Sequence, residues 1–137
     1  MNMSLLTGSC ACGAVNYQSG SDVLNVVNCH CKVCKSHSGA AFTTYVVTKL
    51  NGLEITQGQE LIRHYCVDSA NKHFCGTCGT PLYNTNDHYP GLCMIYLGTL
   101  VARQEISPQV NFWCESQFAW VNELAELLSL PQGISGK

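Results

Sequence analysis

The stretch Asn28-Cys29-His30-Cys31-Lys32-Val33-Cys34 constrains this chain more than any other. It sets three thiols at C-x-C-x-x-C spacing. Thiols this dense serve more than packing. As thiolates they are soft ligands suited to zinc, and short turns bring such neighbours to one ion. Any fold open to this sequence must gather these three sulfurs at one place.

Two further cysteine groups stand out, Cys10/Cys12 and Cys75/Cys78. Cys75-Gly76-Thr77-Cys78-Gly79 has the form of a zinc knuckle, in which glycines let the chain turn its amides toward the sulfurs. Spacing leaves two partitions open. Cys31/Cys34 pairs with Cys75/Cys78 as C-x₂-C-x₄₀-C-x₂-C, or Cys10/Cys12 pairs with Cys75/Cys78 and leaves Cys29, Cys31 and Cys34 together. The total of seven is informative. Two closed Cys₄ sites need eight thiols, whereas one closed and one three-thiolate site need seven. A three-ligand site keeps a fourth position for water or substrate, as catalytic zinc does. Three thiolates make that zinc a weak Lewis acid toward water, yet able to hold an incoming thiol deprotonated. Carbon–sulfur bond making or breaking is the natural use.

The 137 residues fit one domain, spanning 1–137. Hydrophobic residues make up 46%, a figure that counts ten cysteines. The aliphatic and aromatic share therefore lies below the usual ~45–50%, consistent with metal staples supplementing the core. Seven Lys+Arg stand against nine Asp+Glu, with no basic run. That argues against a nucleic-acid surface, which needs clustered cations. The opening Met1–Gly8 has no basic segment and only two adjacent leucines, so it does not read as a signal peptide. No apolar run approaches the ~18 residues of a membrane span. The expectation is a cytoplasmic protein in a reducing compartment, where cysteines read as metal ligands before disulfides.

Strands dominate the pattern. Short extended runs are expected at 14–18, 23–28, 41–48, 53–56, 61–66, 72–75, 81–84 and 92–98. Asn51-Gly52, between two apolar runs, predicts a hairpin because both residues tolerate positive φ. Gly58 marks a further turn. Residues 106–113 read as extended or irregular, with Pro108 interrupting them. Trp120, Val121, Leu124, Leu127 and Leu128 recur at helical spacing near the C-terminus, ended by Pro131 and Gly133. The fold class is mainly β, two packed sheets with one peripheral helix.

Three motifs together resemble a known family. Leu6-Thr7-Gly8-Ser9-Cys10-Ala11-Cys12-Gly13-Ala14-Val15-Asn16-Tyr17 is similar to the opening motif of the glutathione-dependent formaldehyde-activating enzymes. Cys29-His30-Cys31-Lys32-Val33-Cys34, followed by Ser38-Gly39-Ala40-Ala41-Phe42, resembles the second. Phe74-Cys75-Gly76-Thr77-Cys78-Gly79-Thr80-Pro81-Leu82-Tyr83 resembles the third, and 113–120 resembles the C-terminal aromatic segment. The resemblance implies an Mss4-like fold, folded-over antiparallel β-sheets around zinc with a short C-terminal helix. It implies two zinc ions per chain. Cys10, Cys12, Cys75 and Cys78 would hold a structural zinc, and Cys29, Cys31 and Cys34 a catalytic one. It implies carbon–sulfur lyase chemistry, in which glutathione or a similar small thiol adds to formaldehyde to give S-hydroxymethylglutathione. The family also has a branch that includes centromere protein V.

Other residues carry weaker signals. Cys66, Cys93 and Cys114 lie in or near apolar segments, where cysteine acts as a small buried hydrophobe. His30 should point away from its flanking thiols if the cluster is extended, and so support rather than ligate. His37 is a candidate for proton transfer. Lys32 and Lys35 could offset thiolate charge or meet a substrate carboxylate. Ser38-Gly39-Ala40-Ala41 is small enough for a substrate to approach. Trp113, Phe118 and Trp120 pack in the core by default or wall a pocket. Against the enzyme stand a non-catalytic zinc-stabilised binding module and a thiol-redox or metal-buffer protein.

Overall fold

Val26 and Val27 are consecutive, both buried, and enter two different hydrophobic clusters. A strand can do this only when both faces of its sheet are covered, because successive side chains point to opposite sides. The computed structural model describes residues 5–101 and 105–134. Strands β1 (Leu6–Ser9), β2 (Asn16–Ser19), β3 (Asn25–Cys29), β4 (Thr43–Lys49) and β5 (Leu53–Gln57) come first. Strands β6 (Ile62–Val67), β7 (Ala70–Cys75), β8 (Pro81–Asn86), β9 (Leu92–Tyr96) and β10 (Val110–Phe112) follow. One helix, α1 (Lys32–Ser38), lies between β3 and β4.

The strands form a three-stranded sheet, β1-β2-β5, and a seven-stranded sheet, β10-β3-β4-β9-β8-β7-β6. All ladders are antiparallel except β10 on β3. A bridge between Gly8 and Leu100 joins the small sheet to the segment after β9. The sheets face each other across the first core. Leu6, Val15 and Tyr17 from the small-sheet side meet Val26, Val46, Leu82 and Ile95 from the large sheet. Leu82 and Ile95 are wholly buried, which contributes about 1.5–3 kcal/mol of transfer free energy each. The second cluster, Val27, Cys29, Cys34, Tyr45 and Tyr96, lies on the other face of the large sheet. The fold is thus mainly β and of the Mss4-like kind.

Two elements differ from the sequence reading. Asn51-Gly52 makes a turn but no hairpin: β4 is already paired on both edges by β3 and β9, and β5 pairs with β2 in the other sheet. Neither residue has positive φ. Residues Leu50–Gly52 form a 3₁₀ turn that carries the chain between sheets. A Cβ on Gly52 would come within 2.8 Å of Ser21 Cβ, so close approach is what requires glycine there. Gly58 behaves as expected. Its φ is 85°, and a Cβ would collide with the Ala14 carbonyl.

The C-terminal apolar pattern winds as 3₁₀ turns over Ala119–Glu126, not as an α-helix packed on the core. Leu124, Leu127 and Leu128 are exposed. No helix among the described residues is long and apolar enough to cross a membrane.

Candidate metal centre

The two sheets leave the seven motif cysteines in two groups. Sγ atoms of Cys10, Cys12, Cys75 and Cys78 all lie within 4.8 Å of one another. Cys10 and Cys12 sit in the β1–β2 turn, Cys75 ends β7, and Cys78 follows in the turn to β8. Cys10–Cys12 and Cys12–Cys75 sulfur separations are 3.5 and 4.0 Å. A tetrahedron of ~2.3 Å Zn–S bonds has edges of about 3.8 Å, close to these two separations. Backbone turns hold them. The Val15 amide donates to Cys10 Sγ at 3.3 Å. The Thr80 hydroxyl lies 3.1 Å from Cys78 Sγ and is the first cause of its pKa falling to about 5. Spacing left the partition open; in the structure the sulfurs of Cys10 and Cys12 lie with those of Cys75 and Cys78.

Cys29, Cys31 and Cys34 form the second group, again within 4.8 Å. Among the described residues no fourth His, Cys, Asp or Glu joins them. Cys29 ends β3. Cys31 is the N-cap of α1, its sulfur accepting the Cys34 amide at 3.2 Å. Cys34 lies on the first turn of α1 with its sulfur 3.3 Å from that of Cys29. Gly39 ends the helix in the left-handed conformation, its amide bonded to the Lys35 carbonyl at 2.8 Å. The sequence reading gave no helix here. Seven residues with one buried position carry no amphipathic period.

Behind Cys34 lies a polar group that sequence reasoning missed. The Tyr45 hydroxyl donates to Cys34 Sγ at 3.2 Å. Lys72 Nζ, on a side chain 1% exposed, donates to the Tyr45 oxygen at 3.4 Å and stands 4.0 Å from Cys34 Sγ. With its amide oxygen turned inward, Asn84 accepts from Lys72 Nζ at 3.1 Å, and its nitrogen donates to the Tyr96 hydroxyl at 3.2 Å. The pKa of Cys34 falls to about 5. The Cys29 thiol beside it is the first cause, with the Tyr45 hydroxyl and the Lys72 charge acting the same way against the cost of burial. The same contact, with burial, pushes Cys29 up, and burial first raises Cys31. The cluster thus favours one anionic sulfur even before a metal compensates the others. No local signal could have revealed Lys72. Only the register β7-β8-β9-β4 carries it beneath α1.

The thiols open into a cavity of about 770 Å³ on the large sheet's outer face, within the usual range for a small-molecule site. Cys29, Cys31 and Cys34 line it, as do Tyr45, Lys72 and Asn84. One wall comes from β10 and the turn after it. Phe112 pairs with Cys29 across the parallel ladder, and the His30 amide bonds to the Phe112 carbonyl at 3.0 Å. Trp113 follows with φ of 62°, a left-handed conformation that costs a bulky residue about 1–2 kcal/mol.

The remaining candidates divide. His30 is buried, its Nε2 3.3 Å from Asn111 Oδ1 and its ring centroid 5.1 Å from that of Phe42, so it supports the cluster without joining it. His37 turns its ring against Phe74 and does not line the cavity. Lys35 is engaged elsewhere, donating to the Ser116 carbonyl at 2.6 Å and lying over the Phe118 ring. Lys32 is exposed at the cavity rim. Cys93 is buried as expected, and burial raises its pKa to about 12. Cys66 and Cys114 are exposed instead, one on edge strand β6 and one in a surface 3₁₀ turn. Trp113, Phe118 and Trp120 are exposed too, against the expectation of core packing. Trp113 walls the cavity, and Trp120 stacks on Phe118.

Comparisons with known proteins bear on this arrangement. The sequence model of one family, described as glutathione-dependent formaldehyde-activating enzyme, matches residues 5–116. No curated protein matches the chain. Among solved structures, a Rhodobacter sphaeroides protein determined as a structural genomics target is similar, with a TM-score of 0.63 and 21% identity. That likeness covers 77% of this chain and 98% of the other, and at this identity it speaks for the fold alone.

Proposed function

Because the chain belongs to the glutathione-dependent formaldehyde-activating enzyme family, we propose that it is a zinc-dependent carbon–sulfur lyase, run in either direction. The observation that carries this reading is the unfinished donor set: three converging thiols, no fourth protein ligand among the described residues, and a cavity opening onto them. In this reading residues 1–137 form one zinc-binding domain. Cys10, Cys12, Cys75 and Cys78 hold a structural zinc, and Cys29, Cys31 and Cys34 a catalytic one.

Zinc, when bound to the second group, supplies an open position that keeps an incoming thiol as thiolate. The protein does the rest. Cys29, Cys31 and Cys34 present three sulfurs from one strand end and one helix start. Tyr45 and Lys72 place a hydrogen bond and a fixed positive charge against Cys34, offsetting the negative charge that three thiolates leave on the site. The apolar walls exclude water that would compete for the aldehyde. Glutathione or a similar thiol adds to a small aldehyde. The sulfur electron pair forms the new carbon–sulfur bond, the carbonyl π pair moves to oxygen, and that oxygen takes a proton, giving a hydroxyalkyl thioether. The reverse reaction breaks the same bond.

The test is metal content and turnover together. Purified protein should carry two zinc ions per chain and accelerate adduct formation from a small thiol and formaldehyde above the spontaneous background. A single zinc left unchanged by Cys29→Ser would overturn the open-site reading.

A further inference from the structure

The cavity's chemistry away from the sulfurs selects among thiols. Cys29 sits at one end of the sheet face, and the floor continues along β3, β4 and β9. In order of distance come Val27 with Tyr45, then Val47 with Met94, then Leu92. Two strand repeats span about 13 Å. Over that length the side chains of these three strands that line the cavity are apolar apart from Asn25 and the Tyr45 hydroxyl, itself committed to Cys34, while β8 adds Asn84, Thr85 and Asn86 along one side. Leu24, Tyr89, Phe112 and Trp113 add apolar walls.

Charge in the cavity is sparse. Among the described residues lining it, the cations are Lys32 and Lys72. Lys72 is buried and committed to Tyr45, Asn84 and Cys34. Lys32 alone remains, while Asp68 and Glu115 stand at the rim. Glutathione brings one ammonium, which the rim carboxylates suit, and two carboxylates. One carboxylate would meet Lys32, and the other would be desolvated against valine and methionine or face a carboxylate, both costly.

We propose that the thiol substrate of this site carries an apolar substituent instead of the two carboxylates of glutathione. The proposal rests on reading Cys29, Cys31 and Cys34 as an open metal site. The substituent belongs to the thiol because its sulfur takes the open position, so whatever it bears runs from there along the floor. A one-carbon aldehyde needs no groove.

Cobalt(II) at the second site reports thiol ligation directly, through its sulfur-to-metal charge-transfer absorption, independent of turnover. Phenylmethanethiol, 2-mercaptoethanol and glutathione are titrated into the cobalt-loaded protein. Phenylmethanethiol should reach half-saturation at a concentration about ten-fold below 2-mercaptoethanol, as burial of one ring implies, and glutathione should be the weakest. Val47→Lys should narrow the gap between phenylmethanethiol and glutathione, and the wild-type order decides the matter if that variant does not fold. Glutathione saturating at the same or lower concentration than phenylmethanethiol overturns the apolar specificity and leaves the open site standing. Absorption unchanged by all three thiols overturns both.

Discussion

Lys72 Nζ lies 4.0 Å from Cys34 Sγ, although the two residues stand 38 positions apart in sequence. A lysine so deeply buried requires a negative partner. Its neighbours are the Tyr45 hydroxyl, the Asn84 amide and this sulfur. Burial pushes the Tyr45 hydroxyl up while the Cys34 thiol is lowered, so the sulfur carries the charge and the lysine and the thiol cluster depend on each other.

Lys72→Met removes that charge while keeping length and apolar bulk. Metal affinity at the second site should fall about 10–100-fold, as loss of an outer partner of a metal ligand does. Affinity at Cys10/Cys12/Cys75/Cys78 should be unchanged. Chelator competition resolves the two sites, and equal affinities in variant and wild type would remove Lys72 from the metal centre.

The two cysteine groups should fail differently. Cys29→Ser should lower zinc from two to one per chain, read by elemental analysis, with the circular dichroism of the sheets retained. Cys75→Ser breaks the closed site that ties the β1–β2 turn to the β7–β8 turn. Because such binding is folding free energy, that variant should lose structure, not only metal.

Gly58→Ala tests the join between the sheets. The residue is left-handed and its added Cβ would meet the Ala14 carbonyl. The conformational cost alone is about 1–2 kcal/mol, and the collision adds to it. Urea denaturation should show a loss of about 2 kcal/mol or more, without loss of zinc from the folded fraction.

Alkaline instability should come from buried acids of the first core. Cys93 and Tyr17 each titrate at about 12 in the folded chain, mainly because of burial, against ordinary values of 9.0 and 10.0. Folded-state values raised in this way contribute stability that is full below pH 9 and is lost as pH rises through 12. Cys93→Ala should cost about 1 kcal/mol at neutral pH through its small cavity. It should also flatten the fall in melting temperature between pH 9 and 11. An unchanged slope would show that Cys93 does not contribute.

Native alkylation followed by mass spectrometry should modify Cys66 and Cys114 while sparing Cys93. The first two are exposed and the third is wholly buried. Denaturation should be required before Cys93 reacts.

What was legible in the sequence was local. Metal-ligand cysteines come in pairs two or three residues apart, so Cys10/Cys12, Cys75/Cys78 and Cys29/Cys31/Cys34 announce themselves before any fold is known. Strands with β-branched runs, such as β4, were equally plain. Pairings between distant elements were not. Asn51-Gly52 has hairpin chemistry, yet the edges of β4 were taken by β3 and β9. Leu124, Leu127 and Leu128 have helical spacing, yet find no surface to cover among the described residues. Lys72 reads as an ordinary strand lysine until four strands are laid side by side. Each miss is a case in which an arrangement set by the whole chain outweighed a short-range preference.

The parallel ladder of β10 on β3 has a consequence for the order in which a ribosome delivers this protein. Cys34 emerges early, but the strand that braces Cys29 from outside emerges some eighty residues later, since Asn28 pairs with Asn111. Cys10 and Cys12 meet their partners once Cys78 is out. A growing chain can therefore gather Cys10, Cys12, Cys75 and Cys78 before β10 arrives to wall the group of Cys29, Cys31 and Cys34. Under the proposed zinc assignment, the closed site can load while the one that faces the cavity is still waiting for its wall.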